Sequence, residues 1–238
     1  MKYKRIEVGR FVSRPNRFIA YVEIGGEVET VHVKNTGRCK ELLISGVKVY
    51  LSVSDNPLRR TKYDLIAVEK ERNGKAPLLI NMDSQIPNYV CEEWLKKGLL
   101  FSKDAKIKRE YTYKSSRFDF YIEDGERKIF LEVKGCTLER DGIASFPDAP
   151  TERGVKHIKE LMSAIDDGYE AYVLFVIQMK EITEIRPNDT MHKAFGDALR
   201  EARKNGVRVI AYDCNIMPDE ITIDKEISVN LNTGEGIL

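Results

Sequence analysis

A chain of 238 residues, 42% hydrophobic and 32% charged, has the length for one large domain or two modest ones with a substantial core. No apolar run approaches the roughly 20 residues of a membrane helix. The amino-terminal MKYKRIEVGRF lacks a secretory apolar segment, and Cys39, Cys91, Cys136 and Cys214 show no CxxC pair or zinc-like spacing, so a cytoplasmic protein with reduced thiols is expected.

The net charge of +1 hides an asymmetry. Residues 1–83 hold 16 Lys and Arg against 10 Asp and Glu, whereas residues 84–238 hold 23 against 28. A basic module beside an acidic one fits a part that grips a polyanion next to a part that gathers metal-binding carboxylates. The first module reads as short strands at 6–11, 18–24, 28–33, 47–53 and 63–69, with Gly25-Gly26 as a tight hairpin turn. Between the third and fourth, residues 35–43 (NTGRCKELL) predict a short helical turn that Thr36 could cap. Five strands with a helix after the third is the plan of an OB-fold barrel, a common carrier of nucleic acid. Arg10, Arg14, Arg17, Arg38, Arg59, Arg60 and Lys62, with Phe11 and Phe18 interleaved, are the candidate DNA contacts. A solvated basic rim around a structural barrel is the alternative.

The pattern changes near residue 84, which divides the chain into a nucleic-acid-binding domain, 1–83, and a second domain, 84–238. Residues 88–100 have the spacing of a helix, with Val90, Trp94, Leu95 and Leu99 on one face. A strand at 107–113 contains Glu110, a possible accessory carboxylate. Next come two apolar runs, 118–122 and 129–133, around Glu123-Asp124-Gly125-Glu126, a β-hairpin signal. Alternation puts Phe118, Phe120 and Ile122 on one face and Asp119 and Tyr121 on the other. It also sets Glu132 and Lys134 side by side, with Asp119 able to sit opposite them. Two carboxylates are hard oxygen ligands suited to Mg²⁺ or Mn²⁺, and a lysine beside them can hold water or steady phosphate charge. An Asp followed by Glu-x-Lys closing an apolar strand resembles the site of PD-(D/E)xK nucleases; a solvent-side ion pair is the plain alternative.

Beyond the hairpin, residues 146–157 (FPDAPTERGVKH) lead into a helix with Ile158, Leu161, Met162 and Ile165 inward, ending near Gly168. Its first half projects Arg153, Lys156 and His157, possible accessory groups for a phosphate or the scissile site. Residues 169–178 form a nearly continuous apolar run, the mark of a strand covered on both faces. A helix at 191–205, with Ala194, Ala198, Leu199 and Ala202 inward, and a strand at 207–212 complete a strand–helix–strand unit. Parallel pairing and helices on both sides of an α/β sheet follow. A short strand at 227–231 and a loose end close the chain.

Several of these segments together resemble one family. NRF (16–18), NTGRCKELL (35–43), SRFDF (116–120), FLEVKGCTL (130–138) and FPDAPTERGVKHIKEL (146–161) are similar to the sugar fermentation stimulation protein A family of bacteria and archaea. Cys39 stands where a methionine is expected, and Pro150 where an aliphatic residue is expected. The resemblance implies an OB-like β-barrel followed by a restriction-endonuclease-like α/β domain, sequence-nonspecific DNA binding, and a regulatory link to maltose metabolism. It makes Asp119, Glu132 and Lys134 the nuclease-like triad, with Asp119 and Glu132 the metal ligands. The expected function is a Mg²⁺- or Mn²⁺-dependent DNA phosphodiesterase. A non-catalytic DNA-binding regulator is the alternative, with an RNA-directed nuclease behind both.

Overall fold

The computed structural model describes residues 1–35 and 37–232. Six antiparallel-linked strands open the chain: β1 (Ile6–Ser13), β2 (Ile19–Ile24), β3 (Glu27–Val33), β4 (Lys48–Val53), β5 (Tyr63–Arg72) and β6 (Lys75–Asn81). They order as β3-β2-β1-β4-β5-β6, and a parallel pairing of β3 with β5 (Val33↔Leu65) closes the first five into the expected barrel. Closure removes the sheet edges, and alternate residues such as Val22, Val31, Val49 and Leu65 fill the interior with no exposed surface. Gly25 and Gly26 both carry positive φ, as the two-residue turn between β2 and β3 requires. Phe11 is barrel core, whereas Phe18 stands half exposed at 50%.

The helix expected between β3 and β4 is reduced, among the described residues, to a single turn at 40–42, with Leu43 N bonded to Cys39 O at 2.9 Å. The guanidinium of Arg14 explains this. It donates to the carbonyls of Asn35, Gly37, Arg38 and Arg17 at 2.6–2.8 Å, taking acceptors a helix would use itself. Cys39, at φ 46°, turns the chain the wrong way for a right-handed helix. Thr36, the predicted cap, lies outside the described residues, as does the end of the carboxyl-terminal tail.

The second half runs α1 (Ile86–Lys96), β7 (Lys106–Tyr113), β8 (Ser116–Asp124), β9 (Arg127–Cys136), β10 (Glu139–Arg140), β11 (Ile143–Phe146), α2 (Glu152–Asp166), β12 (Glu170–Ile177), β13 (Glu184–Pro187), α3 (Asp189–Lys204), β14 (Arg208–Met217), β15 (Glu220–Glu226) and β16 (Ser228–Val229). The main sheet orders as β15-β14-β12-β9-β8-β7, with β9, β12 and β14 parallel as the buried runs required. Helix α1 packs Ile86, Val90, Trp94 and Leu95 on the face that carries Phe120, Leu131 and Leu174. Helices α2 and α3 cover the other face, where Ile158, Leu161, Phe195 and Leu199 meet Phe130, Val173 and Phe175. Leu99, expected inward, is 61% exposed, because α1 has already ended and Gly98 follows in a positive-φ conformation. Ala194 is also exposed; Phe195 and Gly196 take the inward positions, since a non-helical His192 resets the start of α3. A second small sheet, β10-β11-β13-β16, was not foreseen.

The two halves share a polar seam. Asn81 N donates to Gln178 O at 3.0 Å, and Gln178 Nε2 returns bonds to Asn81 and Asp83 oxygens at 3.1 Å. Lys70–Glu139 at 2.6 Å extends it across the seam, and Lys34 holds Asp83 from within the barrel half at 2.7 Å. The carboxyl ends of β9 and β12 therefore face the barrel across a narrow cleft. No described helix is long and apolar enough to cross a membrane. All four cysteines are free and buried.

Candidate metal centre

The β8–β9 hairpin closes through Gly125-Glu126, with Gly125 at φ 63° and Asp124 paired to Arg127. Its ladder runs up to Phe120↔Leu131 and stops there. One residue further, Asp119 turns its carboxylate into the gap, and Oδ2 accepts the Val133 N–H at 2.8 Å in place of a backbone carbonyl. The neighbouring strand bends at the same level: Glu110, between the pairs Arg109↔Phe120 and Tyr111↔Phe118, is held at φ 54°. That irregularity breaks the alternation. Phe118 therefore does not share a face with Phe120 and Ile122; it packs on Phe130 at 5.0 Å, on the α2 side, while Phe120 and Ile122 face α1.

The bend brings groups from both faces to one point. From the α1 side, Asn88 Nδ2 donates to Asp119 Oδ1 at 2.8 Å. Glu132 looks toward α2, where its Oε1 receives both Lys134 Nζ and His157 Nδ1 at 2.6 Å. His157 Nε2 in turn accepts from Arg153 Nε at 3.3 Å, so the proton of the neutral ring is on Nδ1, pointed at the carboxylate. Arg153 and His157 stand one turn apart on α2, whose start is set by Thr151 Oγ accepting the Gly154 N–H.

Glu132 is 2% exposed, and its second oxygen, Oε2, is buried without a hydrogen-bond partner. Burial raises the Glu132 carboxyl pKa, but Lys134 and His157 outweigh it and hold the group below the usual carboxylate range. Asp119 moves the other way. Burial and then the charge of Glu132 push its carboxyl up, against the Val133 N–H, Lys134 and Asn88. An ionised carboxylate oxygen left bare in a buried position costs a large part of its desolvation energy. A divalent cation between Glu132 Oε2 and Asp119 would relieve both, and hard oxygen donors suit it. Among the described residues no group of three or more His, Cys, Asp and Glu side chains is placed to hold a metal ion, so such an ion would complete its shell with water or substrate oxygen, as Mg²⁺ commonly does.

The other predicted residues fall in different places. Glu110 is exposed and pairs with Arg117 at 3.4 Å. Lys156 Nζ bonds Ser115 O at 2.8 Å, on the turn between β7 and β8. Arg14, Arg17 and Arg38 line a cleft of about 690 Å³ on the barrel. In that cleft Arg14 is engaged by the loop carbonyls, whereas Arg17 and Arg38 are exposed. Arg59 is fixed by Asp64 at 2.6 Å, and Arg10, Arg60 and Lys62 are exposed. Sequence reasoning missed Asn88. Its only signal was a place in the first turn of the helix that follows the domain junction.

With this geometry in hand, similarity to known proteins is informative. Residues 12–76 match the family model described as the SfsA N-terminal OB domain, and residues 85–220 match the sugar fermentation stimulation protein RE domain. A sugar fermentation stimulation protein homolog of Desulfitobacterium hafniense is 57% identical over 98% of this chain and 100% of the relative. One from Ruminiclostridium cellulolyticum is 56% identical over 97% of this chain and 100% of its own. Among solved structures, Pyrococcus furiosus SfsA in complex with Ca²⁺ superposes with a TM-score of 0.85 at 29% identity, covering 97% of this chain and 98% of that one.

Proposed function

The chain belongs to the sugar fermentation stimulation protein family, and from that premise we propose that its barrel binds DNA without sequence preference and that the second domain cleaves it as a divalent-metal-dependent phosphodiesterase. The observation that carries this reading is the partnerless, buried Glu132 Oε2 beside Asp119 and Lys134. Binding of Ca²⁺ by the Pyrococcus relative supports a divalent ion in this fold. Asp119 and Glu132 would hold Mg²⁺ or Mn²⁺, which supplies Lewis-acid polarisation of the phosphate and a more acidic water.

The chain's own groups do the rest. Lys134 Nζ, anchored on Glu132 Oε1, presents its remaining protons to the attacking water and the developing phosphate charge. His157 Nδ1 fixes the rotamer of Glu132 and Asn88 that of Asp119. Arg153, bound to His157 through Nε alone among the described residues, has its two terminal nitrogens for a phosphate oxygen. Affinity comes from the exposed barrel cations Arg10, Arg17, Arg38, Arg60 and Lys62, which contact phosphates and carry no base information.

The test is a paired assay of wild type and Glu132→Ala on supercoiled, linear and single-stranded DNA with Mg²⁺, Mn²⁺ or EDTA. Metal-dependent cutting by wild type that disappears in Glu132→Ala is the expected result. Salt-sensitive binding with no cutting under either metal would overturn the phosphodiesterase and favour a regulator that uses the fold as a scaffold.

A further inference from the structure

A second cavity adjoins the Glu132–Lys134 strand. It measures about 190 Å³ and lies at the carboxyl ends of β9 and β12, closed from the other side by the barrel loop after β3. Ligands of open α/β sheets bind outside the carboxyl ends of parallel strands. Its walls come from three of the segments that carried the family resemblance: Asn35 and Gly37 from NTGR, Gly135 to Leu138 from LEVKGCTL, and Phe146 to Asp148 from FPDA. None of these residues has a part in the metal chemistry above.

The lining is rich in acceptors. Gln178 uses Nε2 on the Asn81 and Asp83 oxygens, which turns its acceptor Oε1 over Gly135; a Cβ there would stand 2.6 Å from it. Across the cavity, Asp148 lays its carboxylate against Gly37, so closely that a Cβ at that position would overlap Oδ2. Burial pushes the Asp148 carboxyl up, and only its own and Ala149's backbone N–H groups act against this. Asp148 as a whole is an exposed residue, with its carboxylate set against Gly37 in the cavity lining. Thr137 and Ser145, both buried, add hydroxyls to the lining.

Size and chemistry narrow the occupant. The volume equals about six waters at roughly 30 Å³ each, well under the roughly 300 Å³ at which pockets for drug-sized ligands begin. A carboxylate and an amide oxygen facing inward repel phosphate and call for a donor. Glu132 and Cys136 are four residues apart on an extended strand, roughly 13 Å, so the cavity stands about two nucleotide steps from the site at Glu132.

We propose that this cavity takes an unpaired nucleobase bearing an exocyclic amine, cytosine being the best fit, from a nucleotide about two steps along the strand from the phosphate at Glu132. Asp148 accepts from the cytosine N4 amine, a contact aspartate makes with this base elsewhere; Gln178 Oε1 can accept only its second N4 hydrogen, and the hydroxyls of Thr137 and Ser145 donate to the acceptors N3 and O2. The favoured substrate is then a single strand or a flipped nucleotide, since the base edge is not free inside a duplex. The proposal rests on the phosphodiesterase reading for its position in the strand, but binding tests it separately.

The experiment measures fluorescence anisotropy of oligodeoxycytidine and oligothymidine of equal length, in EDTA, with wild type, Asp148→Asn and Thr137→Val. The expected result is a preference of wild type for oligodeoxycytidine of roughly tenfold, the scale of one base-edge contact, erased in Asp148→Asn and reduced in Thr137→Val. Circular dichroism checks the fold; if Asp148→Asn unfolds, Thr137→Val decides. Equal affinities in wild type, or a preference that survives the folded variants, overturns the pocket. Cleavage of the same oligonucleotides in Mg²⁺ separates the two ideas. A base preference without cutting would sink the phosphodiesterase and keep the pocket, whereas Glu132-dependent cutting without preference would do the reverse.

Discussion

His157 is the residue whose removal tests the architecture of the site most directly. Its Nδ1 bond to Glu132 Oε1, 2.6 Å long, lies in a buried setting, and its ring meets Phe118 edge-on at 6.1 Å. A charge-assisted bond of this kind contributes about 1.5–3 kcal/mol. His157→Ala also opens a void under α2 and leaves Lys134, among the described residues, as the one partner of a carboxylate that already has one bare oxygen. We expect a loss of about 3 kcal/mol in urea unfolding, since hydrogen-bond and cavity contributions overlap. In a chain of this length that equals a fall in Tm of roughly 6–12 °C. Glu132 would then be free to rotate, and Mn²⁺ affinity by calorimetry should drop about 10–100-fold, the usual effect of losing a group that orients a ligand. His157→Asn, which keeps a donor on a shorter arm, should recover part of both. A His157→Ala protein with wild-type Tm and wild-type Mn²⁺ affinity would refute this account of the site.

Three further outcomes follow from the same structure. Arg14→Ala should destabilise the protein by about 2–4 kcal/mol, because four backbone carbonyls lose one charged donor. Arg60→Ala should leave stability within about 0.5 kcal/mol yet weaken DNA binding and lower its salt slope by about 1; urea curves and salt-series anisotropy read the two apart. The carboxyl of Glu132 gives a pH signature. Its folded pKa lies below the unfolded 4.5, so the stability it adds is fully present above pH 4.5 and is lost as pH falls through the lower folded value. The stability gap between wild type and Glu132→Gln should therefore be constant from neutral pH down to about 4.5 and shrink below it; a gap that widens on acidification would contradict the direction.

Much of this molecule was legible in one dimension because its signals are local. The barrel strands alternate, the Gly25-Gly26 and Gly125-Glu126 turns carry the residues that positive φ needs, and β12 reads as a buried run because it is covered on both faces. Spacing alone put Glu132 and Lys134 on one side of one strand, and they do meet at 2.6 Å. The short strands β10, β11 and β13 were invisible, since two to four residues hold no measurable period, whereas the strand expected at 227–231 is found as β16. The expected helix after β3 is cut to a single turn for a non-local reason: Arg14, more than 20 residues earlier than the loop it binds, takes the loop's carbonyls.

The sequence by itself determined which residue types could serve a metal and a phosphate, since that depends on side-chain chemistry and on a two-residue repeat. Tertiary structure decided how they are used. The bend at Glu110 and Asp119 broke the alternation and let Asp119 cap the Val133 N–H. Packing of α1 and α2 on opposite faces of the sheet delivered Asn88 to one carboxylate and His157 to the other. Their partners are 31 and 25 residues away along the chain, and contacts over such separations follow from how helices dock on a sheet.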